Sequence, residues 1–328
     1  MMENILLLDP SIASGNLGDH IISECAHKEL EPLIRDYFVF SVPTQVSSFH
    51  WYQVARRSSA IRRFSSCKWK FVCGSNLMVK NLATHYPQWN LNMFNYQPFK
   101  GCILVGVGAG AGSKSNWYTR RIYRHMLSSE YFHSVRDARS KEYVESLGLK
   151  AINTGCVTMW AFTPEFCAEI PKAKSEEVVF TLTAPSTGMP KDERDQKIID
   201  ILRSNYRKIY YWPQAWMDYD YIHEFSGIEG IEILEQYREA YDRFLSTHDA
   251  DYVGTRLHGG VYAMRHKRRS IIIAIDERAR SINEGNHLNC VDKENLEALE
   301  PMIQSEFRTE IKMDFEAIRK WKAQFEKQ

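Results

Sequence analysis

The chain has 328 residues, of which 44% are hydrophobic and 25% are charged, as is typical of soluble globular proteins with room for two domains. Its formal net charge is +1, so the overall charge argues against nucleic acid as a partner. No apolar run approaches the ~20 residues needed to span a bilayer, and the N-terminal sequence lacks the basic region of a signal peptide. The seven cysteines are irregularly spaced, without a zinc-type cluster, and predict free thiols in a reducing cytoplasm.

Short apolar runs alternate with amphipathic stretches along the whole chain, which predicts strands alternating with helices. In the first half, the predicted strands are residues 5–9, 38–42, 70–73, 102–107, 132–135 and 151–153, and the predicted helices are 19–34, 48–64, 115–127 and 140–147. In the second half, the predicted strands are 178–183, 208–212, 232–234, 252–254 and 270–275, and the predicted helices are 191–205, 237–246, 259–265 and 315–325.

The predicted strands are almost continuously apolar, as in residues 270–275, and such strands suit a parallel sheet covered on both faces. Two successive strand–helix series predict an α/β fold of two Rossmann-like doubly wound domains facing a cleft. We expect an N-terminal domain over residues 1–160, a linker with prolines and charges over 161–176, and a C-terminal domain over 177–328 that closes with a helix. Because ligands of such sheets bind beyond the carboxyl ends of the strands, we expect the site in the cleft.

The turn after the first predicted strand runs from Ser14 to Asp19. Gly15 and Gly18 permit a tight turn, and Asn16 or Asp19 can cap the helix that follows. The functional alternative is that Asn16 and Asp19 hydrogen-bond an acceptor hydroxyl, with the Asp19 carboxylate as a general base. These residues alone leave both interpretations open.

Three further turns follow predicted strands of the first half. Residues 106–112 are rich in glycine, but no acidic strand end follows about 20 residues later, so a tight turn is favoured over a dinucleotide-binding loop. Ser75 and Asn76 lie in the turn after the third strand, and Arg136 follows the fifth. Arg136 either pairs with Asp137, the expected N-cap of the next helix, or faces the cleft as a cation for an anionic substrate.

Residues 255–260, Thr-Arg-Leu-His-Gly-Gly, are the most informative segment of the chain. In an extended segment, Arg256 and His258 would project to the same face because they are two positions apart. Gly259 and Gly260 would let an anion approach the backbone N–H groups at the start of the next helix. Arginine offers forked donors and histidine a proton near neutral pH, so this site would hold a small anion and protonate it. The alternative is that Arg256 pairs with a structural carboxylate and His258 caps the helix.

Three basic clusters, within residues 56–63, 120–124 and 266–269, are each accounted for by a solvated helix face. The first is flanked by Trp51 and Tyr52, which offers contact with anionic lipid head groups as an alternative. We therefore expect a cytoplasmic protein, with peripheral contact at the inner face of the membrane as a further interpretation.

Seven short segments form an ordered set that spans nearly the whole chain. They are Gly-Asn-Leu-Gly-Asp at 15–19, Gly-Ser-Asn-Leu at 74–77, Val-Arg-Asp-Ala-Arg-Ser at 135–140, Asn-Thr-Gly-Cys-Val-Thr-Met-Trp at 153–160, Trp-Pro-Gln at 212–214, Gly-Thr-Arg-Leu-His-Gly-Gly at 254–260 and Ile-Ile-Ala-Ile-Asp-Glu-Arg-Ala-Arg at 272–280. Each segment is unspecific alone, but together they resemble the polysaccharide pyruvyl transferase family. Val157 stands where that family's pattern has proline, a departure that we expect to alter a turn and not the chemistry.

The resemblance implies a GT-B-like two-domain fold and a specific reaction. In that reaction, phosphoenolpyruvate transfers its pyruvyl group to two hydroxyls of a glycan sugar and forms a cyclic ketal. The arginine and histidine of the family's donor site map onto Arg256 and His258, and an arginine like Arg136 is implied at the donor as well. We expect Arg256, with Arg136 or Arg280, to clamp one anion of the donor, while His258 protonates the methylene carbon. Asp19 is the candidate for orienting or deprotonating the acceptor.

This reaction needs no metal and no organic cofactor, so none is expected. The expected partners are phosphoenolpyruvate and a glycan acceptor, lipid-linked or free, as in the synthesis of capsules and other surface polysaccharides. One alternative is a nucleotide-sugar glycosyltransferase of the same architecture, for which Glu284 could bind a ribose. The other is a glycan-binding relative without catalytic activity, because family membership alone does not establish activity.

Overall fold

A computed structural model describes residues 3–84, 88–110 and 115–326 of the chain. The chain divides into two compact units, each built around parallel β-strands. Unit 1 comprises the chain up to Ser14, Ile22–Trp160 and the segment that begins at Asp314, and unit 2 comprises Gly15–Ile21 and Ala161–Met313. Within the described ranges, no helix is long and apolar enough to cross a bilayer.

Unit 1 contains the first six strands and the first helices. The strands are β1 (Asn4–Asp9), β2 (Phe38–Pro43), β3 (Trp69–Cys73), β4 (Cys102–Val105), β5 (His133–Val135) and β6 (Ala151–Asn153). The helices are α1 (Leu17–Ile34), whose first turn belongs to unit 2, α2 (Trp51–Ala55), α3 (Ser59–Ser65), α4 (Trp117–Met126) and α5 (Ala138–Ser146). Strands β1 to β4 form a parallel sheet in the order β2-β1-β3-β4, and β5 pairs with β6 in a second parallel sheet. The central strands β1 and β3 are almost wholly buried, which is why these segments are apolar.

The single helix predicted over residues 48–64 is two short helices, α2 and α3. Arg57 between them has a left-handed backbone conformation with φ of 46°, which cannot continue a right-handed helix. The Ser58 side chain then accepts a hydrogen bond from the Ile61 N–H and caps α3. The break therefore follows from a local backbone conformation that apolar spacing does not report.

Unit 2 contains a six-stranded parallel sheet. Its strands are β7 (Glu177–Thr181), β8 (Lys208–Tyr211), β9 (Glu232–Ile233), β10 (Ala250–Gly254), β11 (Ser270–Ala274) and β12 (Cys290–Asp292). Their order in the sheet is β12-β11-β10-β7-β8-β9. The helices of unit 2 are α6 (Pro164–Ala168), α7 (Arg194–Asn205), α8 (Asp218–Ile222), α9 (Arg238–Thr247), α10 (Leu257–Arg265), α11 (Glu277–Asn286) and α12 (Leu299–Gln304). Every residue of β10 and β11 is buried, so the sheet is covered on both faces at its centre.

The two units differ in three respects from the predicted domains over 1–160 and 177–328. Residues 15–21 group with unit 2, because the Leu17 N–H donates to the Gln214 carbonyl (2.8 Å) and the Trp216 N–H to the Gly15 carbonyl (3.0 Å). The predicted linker over 161–176 belongs to unit 2 and contains α6.

The last helix, α13 (Phe315–Ala323), groups with unit 1. Trp321 on this helix is fully buried, and its indole N–H donates to the Phe132 carbonyl at 2.9 Å. Its ring lies 6.3 Å from the Phe71 ring of β3. Burial of this large aromatic side chain attaches the end of the chain to the first sheet.

Candidate active site

The Arg-x-His segment lies at the junction between β10 and α10, and the backbone there differs from the extended segment that the sequence predicted. Strand β10 ends at Gly254 and α10 begins at Leu257, two residues earlier than predicted, with Arg256 as its N-cap residue. His258 is therefore the second residue of the helix and not part of an extended segment. The expectation that Arg256 and His258 share a face because of strand alternation is wrong, since alternation applies only to extended backbone.

The backbone at this junction is held by two buried side chains. The Arg256 N–H donates to Thr181 Oγ1 at 3.2 Å, and the Tyr252 hydroxyl donates to the Arg256 carbonyl at 2.7 Å. Thr181 Oγ1 and the Tyr252 hydroxyl are themselves 2.6 Å apart. Both residues lie on adjacent parallel strands and are fully buried, so they fix the position from which the Arg256 side chain departs.

The guanidinium of Arg256 forms a forked ion pair with Asp218, the first residue of α8. Its Nε lies 2.9 Å from Asp218 Oδ2, and its Nη2 donates to Oδ1. The Asp218 side chain is fully buried and also accepts from the backbone N–H groups of Ala184 (3.1 Å) and Ala215 (2.8 Å). The alternative pairing of Arg256 with a structural carboxylate is thus present. Nη1 makes no hydrogen bond to a described residue, so this pairing leaves one edge of the fork for a ligand.

Gly259 and Gly260 pack closely against neighbouring side chains. The Gly260 N–H donates to the Arg256 carbonyl at 3.2 Å, so it is used within the helix. A Cβ on Gly260 would lie 2.7 Å from Tyr252 Cε1, and one on Gly259 would lie 2.9 Å from Gln214 Oε1. The Gly260 N–H is therefore used within the helix, and anion binding at the helix start stays a prediction. Donors at the start of α10 come from Leu257 to Gly259, where a helix has no internal acceptors.

Gln214, three residues after the end of β8, is a site residue that reasoning on individual positions missed. It is 2% exposed, and its Nε2 donates to Asn16 Oδ1 at 3.0 Å. Its Oε1 is buried and receives no hydrogen bond from the described part of the chain. A buried acceptor without a donor is costly, so this oxygen next to Gly259 indicates a position that a ligand's O–H could fill. The signal was available, because a polar amide follows a buried strand in the Trp-Pro-Gln segment.

The turn with Gly15, Asn16 and Asp19 lies against the Gln214 segment in unit 2. Asn16 Oδ1 accepts from the Gly18 N–H at 2.9 Å, so Asn16 caps α1. Asp19 lies in the first turn of α1 and is 9% exposed. Unit 2 thus brings the predicted acceptor-side residues into contact with the segment that borders Gly259.

Three other predicted residues come together in unit 1. Arg136 is 8% exposed; its Nε lies 3.1 Å from Asp137 Oδ2, and its Nη2 donates to Asn76 Oδ1 at 3.3 Å. The guanidinium lies against Gly108, where any Cβ would collide with it. The Gly108 N–H donates to the Ser75 carbonyl at 2.9 Å. The glycine-rich turn, described here as far as residue 110 because 111–114 lie outside the described residues, therefore makes room for a buried arginine.

Arg280 has a different environment from Arg256 and Arg136. Its Nε and Nη2 lie 2.6 and 3.1 Å from the two carboxylate oxygens of Asp292, at the end of β12. These hydrogen bonds hold the pKa of Asp292 down at about 2. Arg280 thus pairs with Asp292, whereas Arg256 pairs with Asp218. The place of Arg280 in the donor clamp stays a prediction.

Unit 1 also has a buried carboxylate that the sequence did not single out. Asp9 ends β1 and is 5% exposed; it accepts hydrogen bonds from the backbone and hydroxyl of Ser11 at 2.8 and 2.7 Å. Burial raises the pKa of Asp9, but the nearby His27 ring and the Ser11 hydrogen bonds lower the pKa by more than burial raises it. The resulting pKa is about 2. Asp9 is therefore ionised near neutral pH. No group of three or more potential metal-binding side chains occurs in the portion of the chain that the structure describes.

Comparison with known proteins links this arrangement to one family. Residues 16–277 match the model of a family described as polysaccharide pyruvyl transferase. This stretch includes the turn at Asn16, the unit 1 cluster around Arg136, Gln214 and the Arg256 junction. No curated protein is significantly similar to the chain in sequence.

Solved structures resemble the fold at low sequence identity. A UDP-GlcNAc 2-epimerase from Methanocaldococcus jannaschii, in complex with UDP-GlcNAc and UDP, is 11% identical with a TM-score of 0.52, covering 98% of this chain and 99% of that one. MnaA from S. aureus in complex with UDP is also 11% identical, with a TM-score of 0.50, covering 93% of this chain and 92% of that one. These proteins have the GT-B-type fold, which confirms the predicted fold class of two α/β domains with parallel sheets.

Proposed function

The chain belongs to the polysaccharide pyruvyl transferase family, and on that basis we propose that it transfers the pyruvyl group of phosphoenolpyruvate to two hydroxyls of a glycan sugar, forming a cyclic ketal. The observation that carries this proposal is the family match across both clusters of polar residues. The Arg256 junction supplies a cation and an imidazole at a helix start, and the Gln214 oxygen beside it is an open acceptor. A small anionic donor and a hydroxyl-bearing acceptor suit these groups.

His258 is proposed as the general acid. The imidazolium gives its proton to the methylene carbon of phosphoenolpyruvate, which creates oxocarbenium character at C2. One sugar hydroxyl attacks C2 and returns its proton to His258. The bond between C2 and the phosphate oxygen then breaks, the second hydroxyl attacks C2, and its proton leaves with inorganic phosphate. The reaction balances with donor and acceptor alone, so we propose no metal and no organic cofactor.

Arg256 is proposed to bind one anionic group of the donor through the edge of its guanidinium that Asp218 does not use. The forked ion pair holds the guanidinium in one orientation, which reduces the entropy lost when the donor binds. The pair as a whole is neutral, so its attraction for an anion depends on directed N–H groups more than on net charge. Donors from Leu257 to Gly259 at the start of α10 would complete this subsite.

The unit 1 cluster supplies a second anion-binding candidate in Arg136, whose fork is oriented by Asn76 and Asp137. Asp19 remains the proposed residue for orienting or deprotonating the acceptor. We propose a lipid-linked glycan as that acceptor, which would place the protein in the cytoplasm in the synthesis of a capsule or another surface polysaccharide.

The direct test is incubation of the purified chain with phosphoenolpyruvate and a panel of lipid-linked oligosaccharides, followed by mass spectrometry and a phosphate assay. The expected result is one ketal-linked pyruvate per acceptor with matching phosphate release. Separate reactions with UDP-sugars address the glycosyltransferase alternative, since the solved structures of similar fold include proteins in complex with UDP. Transfer from a UDP-sugar but not from phosphoenolpyruvate would overturn the proposal.

The role of His258 is tested by His258→Ala, with His223→Ala as the matched control because His223 is an exposed histidine of the same unit. Loss of a general acid typically lowers the rate by about 10²- to 10⁴-fold. We expect that loss in His258→Ala, with a folded variant by circular dichroism, and wild-type turnover in the control. Equal turnover in both variants would remove His258 from the mechanism.

A further inference from the structure

The charges of this nearly neutral chain are divided very unevenly along the sequence. Between Asp36 and Glu130 there is no aspartate or glutamate at all, while residues 37–129 contain 12 lysines and arginines. The remainder of the chain contains 30 lysines and arginines against 41 acidic residues. The formal charge is thus +12 in one segment of unit 1 and −11 elsewhere, which the net charge of +1 conceals.

Part of this basic segment forms one exposed surface on α2 and α3. We call it the arginine–tryptophan face, and it consists of Trp51, Tyr52, Arg56, Arg57, Arg62 and Arg63. Helix α2 has no buried residue, and Trp51 is 69% exposed. All four arginines are exposed, and none forms an ion pair with a described residue. Four exposed guanidinium groups without a described ion-pair partner, within 12 residues of an exposed indole in the sequence, are unusual on a surface with no binding role.

Helix α3 attaches this face to unit 1 from beneath. Ile61 of α3 is 4% exposed, and the Phe64 ring packs edge-on against the Phe40 ring of β2 at 5.2 Å. Lys100 and Gln97 extend the same surface, because they line a groove of about 620 Å³ together with Arg57 and Arg62. The helix that carries Arg62 and Arg63 is therefore anchored to unit 1, and the neighbouring cations can engage an anionic surface together.

We propose that the arginine–tryptophan face binds the surface of a membrane that contains anionic phospholipids. Arginine near an anionic bilayer strengthens binding by about fivefold per residue. Tryptophan and tyrosine favour the boundary between head groups and acyl chains, where the ring is apolar and the N–H or O–H is hydrated. Trp51 and Tyr52 are 69% and 46% exposed and belong to α2, the helix that directly precedes Arg56, so the aromatic and basic side chains can engage one membrane surface together.

This proposal is independent of the pyruvyl transfer proposed above. It rests on the charge and exposure of unit 1 and does not involve His258 or Arg256. If both hold, membrane binding would bring the protein to the surface where a lipid-linked glycan resides.

The test is sedimentation of the full chain with vesicles of phosphatidylcholine alone and of phosphatidylcholine mixed with phosphatidylglycerol. We expect binding only to the mixed vesicles, and weaker binding as the salt concentration rises. The variant Arg56→Glu/Arg63→Glu should bind at least about 25-fold more weakly, from about fivefold for each of the two lost arginines. Trp51→Ala should remove the portion of binding that persists at high salt.

The matched control is Lys197→Glu/Arg319→Glu, which changes the same number of charges at two exposed positions outside the acid-free segment. It should bind mixed vesicles as the unaltered chain does, and circular dichroism should show that both double variants are folded. Three results would each overturn the proposal: equal binding to both vesicle types, equal losses in the two double variants, or binding to heparin without any sedimentation with vesicles.

Discussion

The forked pair between Arg256 and Asp218 allows a sharp test of how the candidate site is held together. Arg256→Ala would leave the Asp218 carboxylate, which is fully buried, without its cation. Removing one partner of a buried pair typically costs about 3–5 kcal/mol. Asp218 would keep its hydrogen bonds from the Ala184 and Ala215 N–H groups, so we expect the lower end, about 3 kcal/mol, in the free energy of unfolding.

Urea unfolding followed by circular dichroism measures this loss as a lower midpoint at an unchanged slope. The control is Arg207→Ala, which breaks the pair with Glu176 between two largely exposed side chains and should cost at most about 1 kcal/mol. In the double variant Arg256→Ala/Asp218→Asn, the carboxylate is no longer charged. Its cost should therefore be smaller than the sum of the two single variants by about 1–3 kcal/mol.

Binding of phosphoenolpyruvate to the folded Arg256→Ala variant, measured by calorimetry, separates the two roles of this arginine. We expect weaker donor binding together with the loss of stability. A variant as stable as the control would refute the structural role of the pair. Unchanged donor affinity would refute the proposed clamp and leave Arg256 as a purely structural partner of Asp218.

Two further predictions concern packing and pH. Gly260→Ala should destabilise the chain by about 1–3 kcal/mol, because the added Cβ would lie 2.7 Å from Tyr252 Cε1. The control is Gly285→Ala, in α11 with open space around it, which should instead stabilise the chain by up to about 1 kcal/mol. Equal urea midpoints for the two variants would contradict the close packing of Gly260 against Tyr252. Burial lowers the pKa of His133 from its ordinary value of 6.5 to about 4. The preference of the folded chain for neutral His133 therefore contributes about 3 kcal/mol to the free energy of unfolding, and this contribution is complete above pH 6.5 and is lost as the pH falls through 4. His133→Asn should flatten stability against pH in that window, and an unchanged slope would show that another group is responsible.

The local pattern was sufficient for much of the fold. The runs at β10 and β11 are apolar because every side chain in them is buried, and this regularity predicted parallel sheets in two α/β domains. The apolar pattern failed to predict helix boundaries where the backbone conformation of a single residue set them. Arg57 has a positive φ and splits a predicted helix into α2 and α3, and α10 begins two residues before its predicted start.

For the candidate site, the sequence by itself determined which segments carry polar side chains at strand ends and in what order they occur. It could not determine their partners. Arg256 meets Asp218 from 38 positions away, and Asn16 meets Gln214 from 198. Such contacts depend on which strands lie side by side in the sheet, and hydrophobic spacing carries no record of strand order. Only the tertiary structure therefore decided that an arginine expected to face a ligand also neutralises a buried carboxylate, and that a glutamine oxygen has no donor among the described residues.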